Sequence, residues 1–393
     1  MRILVLSFYY PPDIGPGSLR AKSIVDALIE EGPSDLKIDV ITTLPNRYHS
    51  LNISAQKYED IGKVSIKRIT LSKHKSGMFD QAKAYILFVL AVRKLILKKK
   101  WDIVIATSSR LMTASLAVWI GKRVNSKIYL DIRDLFADTI DSIFKKKALH
   151  VLTPLFFKLE KWTFQSADKL NIISAGFFDY IKKIAPKASL STYTNGVDDI
   201  FLKKNFIIKQ INPKPLILYT GNIGDGQGLH RIIPNLANEL KDVQFRLIGD
   251  GSAKELLTNN YLFKLLNNIE ILKPVLRNEL INEYQKADIL FLHLNDYKAF
   301  HKVLPSKIFE YAATGKPILA GVSGYAAKFL VDQVKGVEVF DPCDIRSMKL
   351  GLQKLLNGPK NIDRRDFCLR YHRNKIMKDL ANDILSLTNR TLS

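Results

Sequence analysis

The segment HKVLPSKIFEYAATGKPILAG, residues 301–321, predicts a loop, a short helix and a buried strand in immediate succession. The helix is expected from about Ser306 to Thr314, because Pro305 is tolerated in a first helical turn, where its missing N–H is no loss. A Gly-Lys-Pro turn then ends the helix in the usual order, and the apolar residues after it favour a strand. This succession is typical of an α/β protein.

Three polar residues of this predicted helix suit a nucleotide. The backbone N–H groups at a helix start are free to bind phosphate, and Ser306 and Lys307 add a hydroxyl donor and a mobile cation there. Glu310 lies three residues after Lys307, on the same face and one turn deeper, where a carboxylate suits the vicinal diol of a ribose. The segment alone leaves open an amphipathic helix with an ordinary surface lysine and glutamate.

A second glycine-rich turn lies earlier in the chain. LILYTG (216–221) predicts a buried strand, and the loop NIGDGQG that follows precedes a helix. Gly221, Asn222 and Gln227 are the candidate ligand contacts of this turn. The glycines are weak evidence by themselves, because any tight turn between a strand and a helix uses glycine.

The first strand, residues 2–8, leads into the loop FYYPPDIGPGSLRA. Gly15 and Gly17 of this loop do not continue into GxGxxG, so a nicotinamide-dependent oxidoreductase is disfavoured. The two glycines still allow the backbone to approach a ligand closely. An ordinary turn between a strand and a helix remains the alternative.

A later strand, residues 127–131, ends in the polar sequence DIRDLFADT. Ligands of open α/β sheets bind at the carboxyl ends of the strands, so Asp131, Arg133 and Asp134 are candidate catalytic residues. The alternative is that Asp134 caps the next helix and pairs with Arg133.

Two sets of alternating strands and helices are joined by IIKQINPKP (207–215), which has the composition of a linker. We therefore predict an α/β protein of two doubly wound domains. The first covers residues 1–205 and the second residues 206–371 of the 393-residue chain.

Composition limits the classes of partner. The formal net charge is +22, with 31 basic and 19 acidic residues in positions 1–200 and 29 and 19 in the remainder. Because this excess is dispersed and no RNP, helix-turn-helix or zinc pattern occurs, nucleic acid is disfavoured as a partner.

Cys343 and Cys368 have no metal-type spacing and predict a reduced, cytoplasmic setting. Neither a DxD motif nor a His/Cys cluster occurs, which is consistent with a protein that needs no metal and no resident cofactor.

The segment KAYILFVLAVRKLILKKK (83–100) contains six basic residues and no acidic one. Its apolar block Ala84–Val92 is too short to span a bilayer, which needs roughly 20 residues. It suits a helix on a membrane surface, with Lys98–Lys100 at anionic headgroups and a second contact from Lys145–Lys147 and Phe156–Phe164. A buried helix packed on the sheet gives much the same pattern, so both interpretations stay open.

Several segments together resemble glycosyltransferase family 4, whose members have the GT-B fold. They are PSKIFEYAATGKP (305–317), the GNIG…QGL pattern (221–229), PPDIGPGSLRA (11–21) and TNGVDDIF (194–201). The resemblance covers nearly the whole chain in matching order. It is nearest to the bacterial O-antigen and capsule transferases for N-acetylfucosamine-type sugars.

This sequence departs from the family pattern at three places. Many members carry two glutamates eight positions apart; Glu310 matches the second, but Lys302 occupies the first position. Arg133-Asp134 stands where many members have His-Asp. Asn222 and Gln227 replace an arginine and a lysine that commonly hold the diphosphate, so we expect Lys307 to carry more of the phosphate charge.

For the donor, the resemblance implies a retaining, metal-independent transferase with two Rossmann-like domains facing a central cleft. The diphosphate of a nucleotide-sugar would lie at Ser306 and Lys307 and the ribose at Glu310. Pro274 and Val275 would lie near the base, and Gly15 and Gly17 are further candidate contacts to the donor. The sugar is expected to be a UDP-linked N-acetylated amino or deoxy sugar.

For the acceptor, the resemblance implies binding by the first domain. Arg20, Asn46, Ser108 and Arg110 would lie on the acceptor side, with Asp134 or Asp131 near the attacking hydroxyl. The acceptor is expected to be a polyprenyl-diphosphate-linked sugar or oligosaccharide of O-antigen or capsule synthesis, reached by a peripheral enzyme at the inner face of the cytoplasmic membrane. The terminal helix, about 372–393, is expected to cross back to the first domain.

Two other functions remain open. A sugar-nucleotide 2-epimerase shares the GT-B fold and would turn over a nucleotide-sugar without an acceptor. A non-catalytic protein that binds lipid or nucleic acid would account for the positive charge.

Overall fold

The computed structural model describes residues 1–46, 53–71, 78–108, 110–144, 153–204, 206 and 213–389. The chain folds into two compact units, Met1–Asn195 with Asn374–Ser393, and Gly196–Arg373. The division falls after Asn195 rather than after 205, because Val197 and Phe201 pack in the core of the second unit. Most of the expected linker at 207–215 lies outside the described residues.

The first unit is built on one sheet of eight strands. They are β1 Arg2–Leu6, β2 Lys37–Thr43, β3 Tyr58–Ile61, β4 Val64–Ile69, β5 Ile103–Ser108, β6 Lys127–Ile132, β7 Lys169–Ile172 and β8 Leu190–Ser191. Their order is β3-β4-β2-β1-β5-β6-β7-β8, and only the β3–β4 pair is antiparallel among the described strands. The sequence did not predict β3, because YEDI is a polar, exposed edge strand without apolar alternation.

Seven helices accompany this sheet within the described residues. They are α1 Pro16–Glu31, α2 Met78–Leu95, α3 Leu111–Val124, α4 Phe136–Phe144, α5 Thr153–Gln165, α6 Phe178–Ile184 and the last helix of the chain, α16 Arg373–Asn389. One face of β1, with Ile3 and Val5, shares a core with α1 and with Leu380 and Ile384 of α16. The terminal helix therefore returns to the first unit.

The second unit contains a parallel sheet of six strands. They are β9 Leu216–Asn222, β10 Gln244–Asp250, β11 Ile269–Leu272, β12 Ile289–His293, β13 Ile318–Gly321 and β14 Val337–Phe340. Their order is β11-β10-β9-β12-β13-β14. The strands are apolar because helices cover both faces of the sheet.

Nine α-helices belong to the described part of the second unit. They are α7 Asp199–Leu202, α8 Leu229–Glu239, α9 Lys254–Thr258, α10 Tyr261–Leu265, α11 Arg277–Lys286, α12 Lys307–Ala313, α13 Gly324–Gln333, α14 Ile345–Asn357 and α15 Arg365–Arg370. The helix expected near 306–314 is α12, and it leads into β13 as predicted. Of all the helices that the structure describes, none combines the length and apolar character that crossing a membrane requires.

Candidate functional site

Lys307 and Glu310 lie together on α12, as their spacing predicts. Lys307 Nζ is 3.3 Å from Glu310 Oε2 and donates to the Tyr284 hydroxyl oxygen at 3.2 Å. The Tyr284 hydroxyl donates to Glu310 Oε2 at 3.0 Å. The side chains of Lys307 and Glu310 keep 23% and 13% of their accessible surface. The pair is therefore fixed in place but remains open to a ligand.

Cations around Glu310 keep its carboxylate ionised. Burial by itself raises the pKa of Glu310, but the nearby positive charges of Lys307, Arg277 and Arg373 outweigh it, so that the pKa lies below its usual value. Arg277 Nη1 stands 3.8 Å from Glu310 Oε1, and the same guanidinium forms an ion pair with Asp198. An ionised carboxylate in this position can accept hydrogen bonds from two neighbouring hydroxyl groups.

The end of β9 faces the same pair. Gly221 has φ 142°, which residues with a side chain rarely adopt, and a Cβ atom there would lie 3.5 Å from Lys307 Cε. Thr220 is tied to α11 and α12, since its hydroxyl lies 3.0 Å from the Tyr284 hydroxyl and its N–H donates to the Tyr311 hydroxyl at 3.2 Å. The structure thus brings the predicted residues Gly221, Lys307 and Glu310 together.

Asn222 and Gln227 contact each other inside the loop that follows β9. Asn222 Nδ2 donates to Gln227 Oε1 at 2.8 Å, and the N–H of Gly224 donates to the same oxygen at 3.2 Å. A Cβ atom on Gly224 would come within 2.5 Å of Asn222 Nδ2, so a side chain there would displace the Asn222 amide group. The side chains of Asn222 and Gln227 therefore stabilise the conformation of this loop through hydrogen bonds within it.

Sequence reasoning missed the residues that hold this loop from β12. His293 is buried; its Nδ1 donates to the Gln227 carbonyl oxygen at 2.6 Å and its Nε2 accepts from the N–H of Cys343 at 3.0 Å. Burial lowers the pKa of His293 to about 4, so the ring is neutral, as these two bonds require. Asn295 Nδ2 donates to the Asp225 carbonyl oxygen at 3.0 Å. The sequence did contain a signal for these residues. Polar residues stand at the carboxyl end of β12, where α/β sheets bind their ligands.

The remaining donor candidates of the second unit lie at the same edge of its sheet. Pro274 and Val275 stand between β11 and α11, and Val275 packs against the apolar core. Ser306 directly precedes α12, and its hydroxyl makes no capping bond. Because α12 has only seven residues, the charge of Lys307 counts for more than the helix dipole.

Asp131, a candidate catalytic residue, and Arg20, expected on the acceptor side, both have buried side chains. Their side chains are 0% and 3% exposed, because Asp131 lies within β6 and turns into the packed layer. Arg20 Nη2 and Nε donate to the two Asp131 carboxylate oxygens at 2.8 and 3.1 Å. Asn171 Nδ2 donates to Asp131 Oδ1 at 2.7 Å, and Arg20 also donates to the Tyr193 carbonyl oxygen at 2.7 Å. The Asp131 carboxylate and the Arg20 guanidinium thus bond to other groups of the protein, and their roles at the acceptor stay predictions.

Asp134 is the exposed carboxylate of this segment, whereas Arg133 is buried. The alternative for Asp134 was a cap on helix α4. At the start of α4, the N–H of Ala137 donates to Glu160 Oε1 of α5 at 3.2 Å, so Glu160 caps one N–H of this helix. The Tyr180 hydroxyl donates to Glu160 Oε2 at 2.5 Å. Burial raises the pKa of Glu160 to about 7.

Gly15 and Gly17 flank the start of α1. Gly15 directly precedes the helix with φ 155°, and Gly17 lies buried in the first turn rather than in a loop. The loop after β2 is tied to the same region, because the N–H of Asn46 donates to Asp13 Oδ2 at 3.1 Å and Asn46 Nδ2 donates to the Thr43 hydroxyl at 2.6 Å.

Arg110 lies against the loop that follows β1. Its Nη2 donates to the Tyr9 hydroxyl oxygen at 2.9 Å, and its guanidinium carbon lies 4.3 Å from the centre of the Phe8 ring. Ser108 is the buried last residue of β5. Throughout the described part of the chain, no three His, Cys, Asp or Glu side chains form a group that could hold a metal ion.

Two sequence comparisons bear on the second unit. Residues 203–374 match the model of the family described as Glycosyl transferases group 1. A protein of Escherichia coli (strain K12), named as the colanic acid biosynthesis glycosyl transferase WcaI, is 27% identical over 177 residues. That match covers 44% of this chain and 43% of the relative, so the chain aligns with less than half of the relative's length.

Solved structures resemble the whole chain. Sucrose-phosphate synthase from Thermosynechococcus elongatus has a TM-score of 0.68 at 12% identity, over 99% of this chain and 97% of that chain. Anabaena HepE in complex with UDP-glucose has a TM-score of 0.66 at 13% identity, over 98% of this chain and 99% of that chain. At these identities the likeness shows the fold, and the predicted GT-B class is confirmed.

Proposed function

We propose that this chain, whose residues 203–374 match the group 1 glycosyl transferases, transfers a sugar from a UDP-linked donor to a lipid-linked acceptor. The observation that carries the proposal is the cluster of Lys307, Glu310 and Tyr284 beside Gly221, at the carboxyl end of β9. A relative named for colanic acid biosynthesis and a similar structure bound to UDP-glucose support the product class and the donor.

The cluster suits a nucleoside diphosphate at both ends. An ammonium group has three donors, so Lys307 can contact a phosphate oxygen while it keeps its bond to Glu310 or Tyr284. The ionised Glu310 accepts hydrogen bonds from the two ribose hydroxyls. We place the base near Pro274 and Val275, on the loop that follows β11.

The reaction we propose retains the anomeric configuration and uses no metal. The bond between the anomeric carbon and the diphosphate oxygen breaks, and the acceptor oxygen bonds to the same carbon on the same face. The acceptor's proton passes to an oxygen of the departing UDP. The fixed positive charge of Lys307 stabilises the diphosphate as its negative charge develops. Asp134, the exposed carboxylate after β6, is our candidate for positioning the acceptor hydroxyl.

We further propose that the protein acts in surface polysaccharide synthesis, of the O-antigen or capsule type, with an N-acetylated amino or deoxy sugar as donor group. A polyprenyl-linked acceptor keeps its lipid in the bilayer. The enzyme would therefore work as a peripheral protein at the inner face of the cytoplasmic membrane.

The test is a transfer assay with the purified chain, a panel of UDP-, GDP- and ADP-sugars and a short-chain polyprenyl-diphosphate-linked sugar. We expect UDP release that requires the acceptor, and a product whose anomeric configuration by NMR equals that of the donor. Turnover of a UDP-sugar without acceptor would instead identify an epimerase. Release of no nucleotide, together with no binding of UDP, would contradict the proposal.

A further inference from the structure

Helix α2 has two apolar faces, of which only one is buried. Ala84, Tyr85, Phe88 and Val92 are at most 6% exposed. Ile86, Leu87 and Leu90 lie between them in sequence and are 59%, 38% and 48% exposed. The buried face is the one expected of a helix packed on the sheet. The exposed apolar face is the one that a helix on a membrane surface would need. An apolar stripe left in water on a helix that already has a buried face indicates an interaction surface.

Aromatic residues extend this exposed stripe over two neighbouring helices. The guanidinium of Arg93 on α2 lies 5.7 Å from the centre of the Trp119 ring on α3. Lys122 on α3 lies 5.5 Å from the centre of the Trp162 ring on α5, and Trp162 is 39% exposed. We call the exposed residues of α2, together with Trp119 and Trp162, the α2 surface.

The helices that carry the α2 surface are predominantly basic. Residues 78–100, 111–124 and 153–165 contain ten basic residues and two acidic ones, Asp80 near the start of α2 and Glu160, which is buried. Lys99 turns back to Asp39, with Nζ 3.5 Å from its carboxylate, so this lysine does not point outward as the sequence analysis expected. Lys145–Lys147 lie outside the described residues. Basic side chains around leucine, isoleucine and tryptophan match an anionic lipid surface.

The buried side of α2 contacts the loop that follows β1. The centres of the Tyr85 and Phe88 rings lie 6.2 and 5.3 Å from the centre of the Phe8 ring, and the Arg110 guanidinium lies 4.3 Å from the same ring. The same turns of α2 therefore contact this loop on one side and carry the exposed apolar residues on the other.

We propose that the α2 surface docks the first unit onto an anionic membrane and holds the loop after β1 at the lipid surface. The docking step stands on the exposed residues alone, whereas the role of the loop rests on the proposed function. A lipid-linked acceptor whose headgroup reaches the Phe8 region would then be bound without leaving the bilayer.

Vesicle sedimentation of the full chain tests the docking step. With vesicles containing phosphatidylglycerol at low salt, Leu87→Gln/Leu90→Gln and Lys83→Glu/Lys94→Glu should each lower the partition coefficient by roughly tenfold or more. The matched controls change exposed residues of the second unit, Leu265→Gln/Leu369→Gln and Lys264→Glu/Lys335→Glu, and should bind as the wild type does. Melting temperatures verify that all four variants fold.

Three results would overturn docking by the α2 surface: wild-type protein that stays in the supernatant, binding that the α2 variants leave unchanged, or equal losses in the controls. None depends on transferase activity, and UDP binding by the second unit tests the proposed function separately. The role of the loop is tested by comparing a long-chain acceptor in vesicles with a water-soluble short-chain acceptor. The α2 variants should lose kcat/KM for the first alone, and equal losses for both would overturn that role.

Discussion

Two pairs of opposite charges mark the two units, and their surroundings differ. In the first unit Arg20 and Asp131, the sealed pair, have side chains that are 3% and 0% exposed. In the second unit Lys307 and Glu310, the open pair, are 23% and 13% exposed. Asp131 lies near the carboxyl end of β6, and Lys307 lies beside the carboxyl end of β9. The position of a charged pair at the end of a strand is therefore a poor guide to its function. The exposure of its side chains to solvent is a better guide.

The partners of each pair explain the difference. The planar guanidinium of Arg20 spends its donors on both Asp131 oxygens and on two backbone carbonyls, so this network has no place for a ligand. Lys307 instead holds Glu310 through one donor and can turn its other donors to a phosphate. We therefore expect the closed network to stabilise the fold, and we propose that the open one binds the donor.

The largest effect is expected at Asp134, the exposed carboxylate three residues after the sealed Asp131. Asp134→Asn should lower kcat by about 100-fold or more, because it removes a charged group at the acceptor hydroxyl, and should leave UDP affinity nearly unchanged. Initial rates and a UDP titration measure the two effects, with Asp141→Asn on α4 as the control. Normal turnover combined with a lower Tm would assign Asp134 to helix capping.

Breaking the sealed pair should cost stability. Arg20→Met leaves the Asp131 carboxylate buried without its cation, and the free energy of unfolding should fall by about 3–5 kcal/mol. Lys307→Met, which breaks the open pair, should cost less than about 1 kcal/mol. Urea denaturation measures both variants. A stable but inactive Arg20→Met protein would instead place the sealed pair in the chemistry.

The His293 bonds that hold the donor-side loop should make stability depend on pH. Burial lowers the pKa of His293 to about 4, below the value of about 6.5 expected in the unfolded chain. Its contribution is therefore complete above about pH 6.5 and is lost as the pH falls through 4, by about 3 kcal/mol in total. His293→Phe should flatten this part of the pH profile, whereas His301→Asn, at an exposed histidine, should not. An unchanged slope in His293→Phe would contradict the assignment.

The sequence predicted what depends on local spacing. The strands Lys127–Ile132 and Leu216–Asn222 and the approach of Lys307 to Glu310 within one helical turn all follow from short-range patterns. The sealed pair joins residues 111 positions apart, and His293 reaches Gln227 across 66 positions. Such contacts depend on the packing of whole elements, so a residue at a predicted strand end could not be sorted from sequence into exposed or buried.

The open pair is tested most directly by titrating UDP and uridine into wild-type protein, Lys307→Ala and Glu310→Gln, with Lys264→Ala as the control. A lost charge-assisted hydrogen bond should weaken UDP binding by roughly 10- to 100-fold in each of the first two variants. Uridine, which lacks the diphosphate, should lose affinity only in Glu310→Gln. Wild-type affinity for UDP in both Lys307→Ala and Glu310→Gln would contradict the claim that this pair binds the donor.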